Sequence, residues 1–489
     1  MKKIICLLLT VVLLATSGCS GCKSCKNQSV TDKHRYQIVV DFDDENMCLT
    51  GYEIVDFYNY TDTTITELRF NLFGNAYRQD AKYAPVLQSQ NALAYPDGVN
   101  YGQMTVDGVE LLGEKIHFEI CGEDQNILSI PLGNEVFPDE YVTVKIYFTL
   151  KLTKSHTRTG YSDTTVNLGN FYPILCVKTA NEYKDCVYYS IGDPFYSNCA
   201  DYTVQISLDK EYVVCSSGVI LDSKTVDDKA VYSYVLDNAR DFAFVLSKGF
   251  DMLTGSANGV TVNYYYQKDT EPELTLKSAM DAIKTFSSLF GAYPYKTFSV
   301  AETSFYQGGM EYPAMVMISD RLEDRAVINE VTIHETAHQW WYATVGNDEI
   351  AHAFLDEGLT EYSVILFYEN NPSYGFTRAE MIGIAHKSYQ TYCSIYDRIF
   401  GGKDTSMDRS LKDFTSEYEY VNIAYVKGAL MFDYLRIAVG DEQFFSGLKR
   451  YYEQYSFKNA TPDDLISVYE KSCQTSGFFD SWIKGEVII

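Results

Sequence analysis

Hydrophobic and polar positions alternate through the first half of the chain. Between Tyr141 and Lys154, Val142, Val144, Ile146, Phe148, Leu150 and Leu152 interleave with Thr143, Lys145, Tyr147, Thr149 and Lys151. A period of two describes a strand with one buried face. Similar runs recur at Gln37–Phe42, Glu53–Tyr60, Tyr202–Leu208, Tyr212–Ser216 and Val231–Leu236, separated by Gly, Asp and Asn turns. Residues 33–257 are therefore expected to form an antiparallel β saddle or sandwich. After about Thr261 the period lengthens. Leu276, Met280, Ile283 and Phe286 give Leu274–Leu289 a helical stripe that Gly291 and Pro294 stop. A short strand at Thr297–Glu302 and an edge-like segment at Val316–Ile318 precede a helix expected over Ala326–Thr344. A second helix is expected over Leu359–Tyr368, beginning near Glu357, and helices dominate to the end. The fold class is thus multidomain β plus α/β, with 258–489 forming a mainly helical second domain.

The N-terminus changes the picture of where the chain resides. Lys2 and Lys3 precede a mostly apolar run, Ile4 to Ala15, which is too short to span a bilayer. Thr16-Ser17-Gly18-Cys19 resembles a bacterial lipobox, so residues 1–18 read as a signal peptide and 19–32 as a linker lipidated at Cys19. Thr16 stands where a lipobox usually has Leu, and a plain secretory signal is the alternative. The expected location is outside the cytoplasm, anchored to a bacterial membrane. No later run approaches eighteen apolar residues.

Twelve cysteines, less Cys6 and Cys19, leave ten, an even number compatible with disulfides. Cys176, Cys186 and Cys199 are close enough in sequence for a local bridge, or are free thiols. Cys22 and Cys25 lack a matching His or Cys cluster and read as part of the tether. A formal charge of −26 argues against nucleic acid as a partner and is compatible with cationic peptides or simply with solubility. The 42 tyrosines suggest no function by themselves.

Chemistry enters with His334-Glu335-Thr336-Ala337-His338, followed after eighteen residues by Glu357. Histidines four apart share a helix face and can reach one ion. A catalytic zinc takes imidazole and carboxylate ligands and keeps a position open. His334, His338 and Glu357 are the candidate ligands of one zinc per chain. Glu335, beside them, can take a proton from water that the metal activates. The plainer alternative is a buried helix with two hydrogen-bonded histidines.

Four segments, in order, resemble the zinc aminopeptidases related to aminopeptidase N and leukotriene hydrolase. Gly308-Gly309-Met310-Glu311-Tyr312 resembles the exopeptidase motif, with Tyr312 where the family usually has Asn. His334 to His338, extended by Gln339-Trp340, resembles the zinc helix, and Asp356-Glu357-Gly358 the third-ligand motif. Tyr425-Val426-Lys427-Gly428 resembles the segment with the catalytic tyrosine. The resemblance spans about residues 35–485 and implies a β saddle followed by a thermolysin-like catalytic domain. Thermolysin-type proteases share the zinc helix but usually place the third ligand one residue later. The segment Phe478 to Trp482 resembles the end of the catalytic domain, so the helical C-terminal domain of larger relatives is expected to be missing.

The resemblance implies roles. Glu335 is the general base and acid, Tyr425 donates to the oxyanion, and Glu311 binds the substrate's free α-amine. Gly308, Gly309 and Met310 line the peptide's backbone, because glycine permits close approach. Tyr420 is a weaker candidate to assist. Glu361 is a candidate partner for a ligand histidine, although relatives more often place an acid at the position of Val364. Asp193 and Glu182 have no place that sequence can give them. Trp340 and Trp341 are expected to pack the zinc helix. The expected function is an aminopeptidase acting on extracellular peptides with free N-termini. The alternatives are an open-cleft zinc endopeptidase and a non-catalytic peptide-binding lipoprotein of the same fold.

Overall fold

The computed structural model describes residues 33–400, 404–471, 475, 477–485 and 487. The signal, lipobox and linker expectations, Cys19 included, fall on residues 1–32 and lie outside the described residues. No described helix is long and apolar enough to cross a membrane.

The alternating half forms an eight-stranded sheet. Its order is Val219–Val226, Lys229–Ala239, Ala200–Asp209, His34–Asp43, Cys48–Tyr58, Tyr141–Lys151, Gln103–Leu111 and Glu114–Lys115. Tyr141–Lys151 buries Val144, Ile146, Phe148 and Leu150, as its period requires. The strand ends at Lys151, three residues short of the expected Lys154. One pairing departs from the antiparallel expectation: His34–Asp43 runs parallel to Ala200–Asp209, with Ile38 opposite Val204. Two four-stranded sheets and a two-stranded one, Val177–Lys178 with Tyr183–Lys184, complete the described part of this half. Tyrosine is a core residue here. Tyr36 and Tyr202 stack, and Tyr172 donates to Asp241 at 2.9 Å, so these three rings are buried with their hydroxyls hydrogen-bonded.

The second sheet has five strands, ordered Asp251–Ala257, Val260–Tyr266, Thr297–Thr303, Met315–Ser319 and Gly309–Met310. Its three central strands are parallel. The helix Pro272–Leu289 makes the crossover between Val260–Tyr266 and Thr297–Thr303 that parallel pairing demands. Asp251–Ala257 pairs with Val260–Tyr266 across a tight turn, so the hairpin straddles the division between 257 and 258. Gly309–Met310 lies antiparallel at the far edge of the sheet.

Two helices differ from their expected bounds. The first runs Arg325–Ala337 rather than to Thr344. The Ala343 amide donates to the His338 carbonyl and the Thr344 hydroxyl to that of Gln339, at 2.9 and 2.7 Å. These bonds replace helix continuation and close a turn in which Tyr342 has a φ of 138°. The turn lets Trp340 and Trp341 bury, their indole N–H groups donating to Gly291 O and Ser363 Oγ. The second helix begins earlier than expected, at Phe354, and runs to Asn370. Cys176, Cys186 and Cys199 are free thiols, so the local bridge is not formed.

Candidate active site

His334 sits in the last turn of Arg325–Ala337, and His338 caps that helix. The cap residue Asp324 accepts from the Ala326 amide and fixes the other end. Glu357 lies in the first turn of Phe354–Asn370, 2% exposed. The three side chains converge. His334 Nε2 and His338 Nε2 are 3.1 Å apart, and Glu357 Oε2 stands 3.5 and 3.3 Å from them. A tetrahedron whose vertices lie about 2.0–2.1 Å from its centre has edges of about 3.3–3.4 Å, so this triangle matches one face of a zinc coordination shell. Burial opposes charging both residues, yet Glu311 and Glu357 hold the His338 imidazole up to about 10. His338 and His334 in turn keep Glu357 well below the usual carboxylate range.

The remaining histidine nitrogens are also placed. His338 Nδ1 is 2.9 Å from the Trp341 carbonyl and 3.2 Å from Thr360 Oγ1. His334 Nδ1 is 3.4 Å from Glu361 Oε2, which puts Glu361 in the orienting position foreseen for it. Val364 is fully buried among apolar neighbours.

Glu335 is 6% exposed, and its Oε2 has no hydrogen-bond partner. Burial pushes its carboxyl up to about 7, despite the histidines acting the other way. A group poised there can accept and release a proton near neutrality. Gly309 faces it so closely that a Cβ at 309 would stand 2.4 Å from Glu335 Oε1.

Glu311 is 4% exposed and also leaves one carboxylate oxygen unpartnered. Its loop is clamped to the turn after the zinc helix. Gln339 accepts from the Ala314 amide at 2.8 Å and donates to the Tyr312 carbonyl at 3.1 Å. Tyr312, in place of the family's usual Asn, is fully buried and donates to Asn170 Oδ1 at 3.0 Å. Gly169 makes room for its hydroxyl, since a Cβ there would meet it at 1.8 Å. The substitution therefore ties this loop to the β half and leaves Glu311 in the cavity.

Tyr425 comes from a π-helical segment, Val421–Lys427, and its hydroxyl donates to Glu357 Oε1 at 2.5 Å. Its ring stacks on His334. Tyr420 packs edge-on against Tyr425, its centroid 5.5 Å away. Lys427 is fully buried and donates to the Thr405 and Trp482 carbonyls, which anchors the segment from behind.

Gly308, Gly309, Glu311, His334, Glu335, His338, Glu357, Glu361 and Tyr425 line one cavity of about 410 Å³, whereas Met310, Tyr312 and Tyr420 are not among its lining residues. Two further lining residues come from the β half. Arg158 and Asp193, both buried, form an ion pair beside Glu311, and Arg158 also reaches Met310 Sδ at 2.9 Å. Sequence reasoning could not place Asp193, whose only local signal is the Gly192-Asp193-Pro194 turn, and it missed Arg158. Glu182 is exposed, pairs with Lys184 and is not among the cavity's lining residues.

Residues 274–482 match the model of the peptidase family M1 domain. This segment carries the peptidase family M1 domain. Aminopeptidase N of Lactococcus lactis subsp. lactis is 22% identical over 429 residues, covering 79% of this chain and 50% of that relative. Human aminopeptidase B is 27% identical over 197 residues, covering 38% of this chain and 29% of its own length. The chain thus spans half or less of the length of these curated relatives. Across the fold, the M1 zinc metallopeptidase of Deinococcus radiodurans superposes with a TM-score of 0.66 at 15% identity, covering 93% of this chain and 94% of that one. A mutant of that metallopeptidase, with a TM-score of 0.64 and 15% identity, is bound to a Tyr-Ser-Ala substrate; 94% of this chain and 95% of that one are covered. The fold shared with that metallopeptidase accounts for the two-part architecture.

Proposed function

We propose that this M1 protein is a zinc aminopeptidase that removes N-terminal residues from peptides. The observation that carries the reading is Glu311. It is a buried carboxylate with an unpartnered oxygen, beside Asp193 and one step along the cleft from the ligand triangle. Burial pushes its carboxyl up, and a substrate's α-ammonium supplies the partner that favours its charged form. A single zinc held by His334, His338 and Glu357 supplies a Lewis acid that makes water nucleophilic near neutral pH and polarises a carbonyl.

The chain's own residues do the rest. Glu311 and Asp193 hold the α-amine and thereby fix which peptide bond reaches the triangle. Gly309–Met310, at the open edge of the five-stranded sheet, receives the peptide backbone as an added strand. Glu335 accepts a proton from the attacking water and passes it to the departing amine. Tyr425 donates to the developing oxyanion, swinging from the Glu357 oxygen it holds at rest. The D. radiodurans structure bound to Tyr-Ser-Ala supports a peptide in a cleft of this fold.

The lipobox-like Thr16–Cys19 supports a location outside the cytoplasm with a lipid on Cys19, which metabolic labelling with a radioactive fatty acid tests against a Cys19→Ala variant. The activity is tested by mass spectrometry of a ten-residue peptide during digestion. Stepwise loss of single N-terminal residues is expected; cuts at internal bonds from the first minute would replace this reading with an endopeptidase.

A further inference from the structure

The cleft has a direction. Gly308 lies against Val331, Gly309 against Glu335, and Glu311 beside His338, so the edge strand and the zinc helix run alongside each other in the same sense. The α-amine end, at Glu311 and Asp193, is therefore near His338. The residue that departs with the new amine lies at the other end, against the turn of the helix preceding His334. That end presents Val327, Glu330 and Val331 from the helix and Glu361 from the helix carrying Glu357.

The charge at this end is one-sided. The Glu330 side chain makes no ion pair or hydrogen bond with any described residue. Among the described residues, the one ion pair of Glu361 is with His334 Nδ1, at 3.4 Å. Burial, and after it the nearby Glu361, push the Glu330 carboxyl up, while His334 acts the other way. Arg158 is the only lysine or arginine among the lining residues, and it stands at the opposite end, paired with Asp193. The acidic groups alone would not make a site. The same cavity is marked independently by Glu311 and Glu335, each more than nine-tenths buried and each aiming an unpartnered oxygen into it.

We propose that this cleft selects peptides whose second residue is lysine or arginine, with Glu330 and Glu361 receiving its cationic head while Val327 and Val331 cover its methylene stem. The inference rests on the aminopeptidase reading for the direction of the peptide. A half-exposed ion pair of this kind is worth about fivefold in kcat/KM and weakens with salt.

The test compares three free-amine tripeptides: leucyl-lysyl-alanine, leucyl-alanyl-alanine and leucyl-glutamyl-alanine. The lysyl peptide is expected to be cleaved about fivefold better than the alanyl one, and the glutamyl peptide worst. Glu330→Gln brings the lysyl-to-alanyl ratio toward one, and Glu330→Lys inverts the lysyl and glutamyl ranks. Calorimetric binding of the same peptides to zinc-loaded Glu335→Gln protein gives the same order without turnover. Equal binding and equal cleavage of all three, or ratios unmoved in both Glu330 variants at full zinc content, overturn the proposal. Cleavage of the N-acetylated peptides overturns the aminopeptidase reading instead, and the binding order still decides the role of Glu330.

Discussion

Gly358 and Gly428 meet backbone to backbone. A Cβ built on Gly428 would lie 2.6 Å from Gly358 Cα, and one on Gly358 would lie 2.8 Å from Gly428 Cα. Each glycine follows a site residue: Gly358 follows Glu357, and Gly428 ends the π-helical segment of Tyr425. Their contact sets the separation of the two helices, and so puts the Tyr425 hydroxyl within 2.5 Å of Glu357.

A methyl group at this crossing forces the helices apart. Gly428→Ala is expected to lower stability by about 1–3 kcal/mol and to reduce kcat more than it raises KM. Thermal melts and steady-state kinetics read both effects. Wild-type kcat in a destabilised protein would detach Tyr425's position from this contact.

Tyr425→Phe removes a donor without touching a zinc ligand. The expected loss is about 10²–10³ in kcat, with zinc content unchanged by atomic absorption. A loss of metal instead would make the Tyr425–Glu357 bond a prop for the ligand rather than a reserve for the oxyanion.

The ligand triangle predicts a stability that depends on zinc. A bound ion stabilises by about 2.7 kcal/mol at a hundred times its dissociation constant. Treatment with a chelator should lower Tm, and added zinc should restore it. In His338→Ala the two melts should coincide.

Glu53 sits in the core of the eight-stranded sheet, with no exposed surface and no partner for either oxygen. Burial holds its carboxyl far above the usual range, so it is neutral in the fold. With its folded pKa above the unfolded value of about 4.3, its contribution is most favourable below that pH. Stability is lost as pH rises above it. Glu53→Leu is expected to raise Tm, by more at pH 8 than at pH 4, because an unsatisfied buried group costs about 1–3 kcal/mol. A lower Tm at both pH values would reveal a hydrogen-bonded role for this carboxylate.

The sequence made the metal ligands legible because their geometry is local. Two histidines one turn apart must face the same way, and Glu357 begins the next long helix. Strands such as Tyr141–Lys151 were legible for the same reason. What failed was non-local. The parallel pairing of His34–Asp43 with Ala200–Asp209 joins residues 166 positions apart, and no periodicity encodes it. Arg158 and Asp193 reach the cleft from loops of the β half that carry no repeating pattern. The early end of the zinc helix at Ala337 depends on where Trp340 and Trp341 bury, which an apolar stripe reports identically for helix and turn. Tyr312 looked like a defect in a motif. Its hydroxyl in fact has a prepared place, above Gly169 and on Asn170.

The central claim is that Glu311 measures from a free N-terminus. Hydrolysis of leucyl-coumarin amide by the zinc-loaded protein, set beside its N-acetylated counterpart and repeated with Glu311→Ala, tests it most directly. Turnover of the free amine alone, falling by about 10² or more in the variant as a buried charge-assisted contact is lost, is the expected result. Comparable turnover of the acetylated substrate, or a variant as active as the wild type, would contradict it.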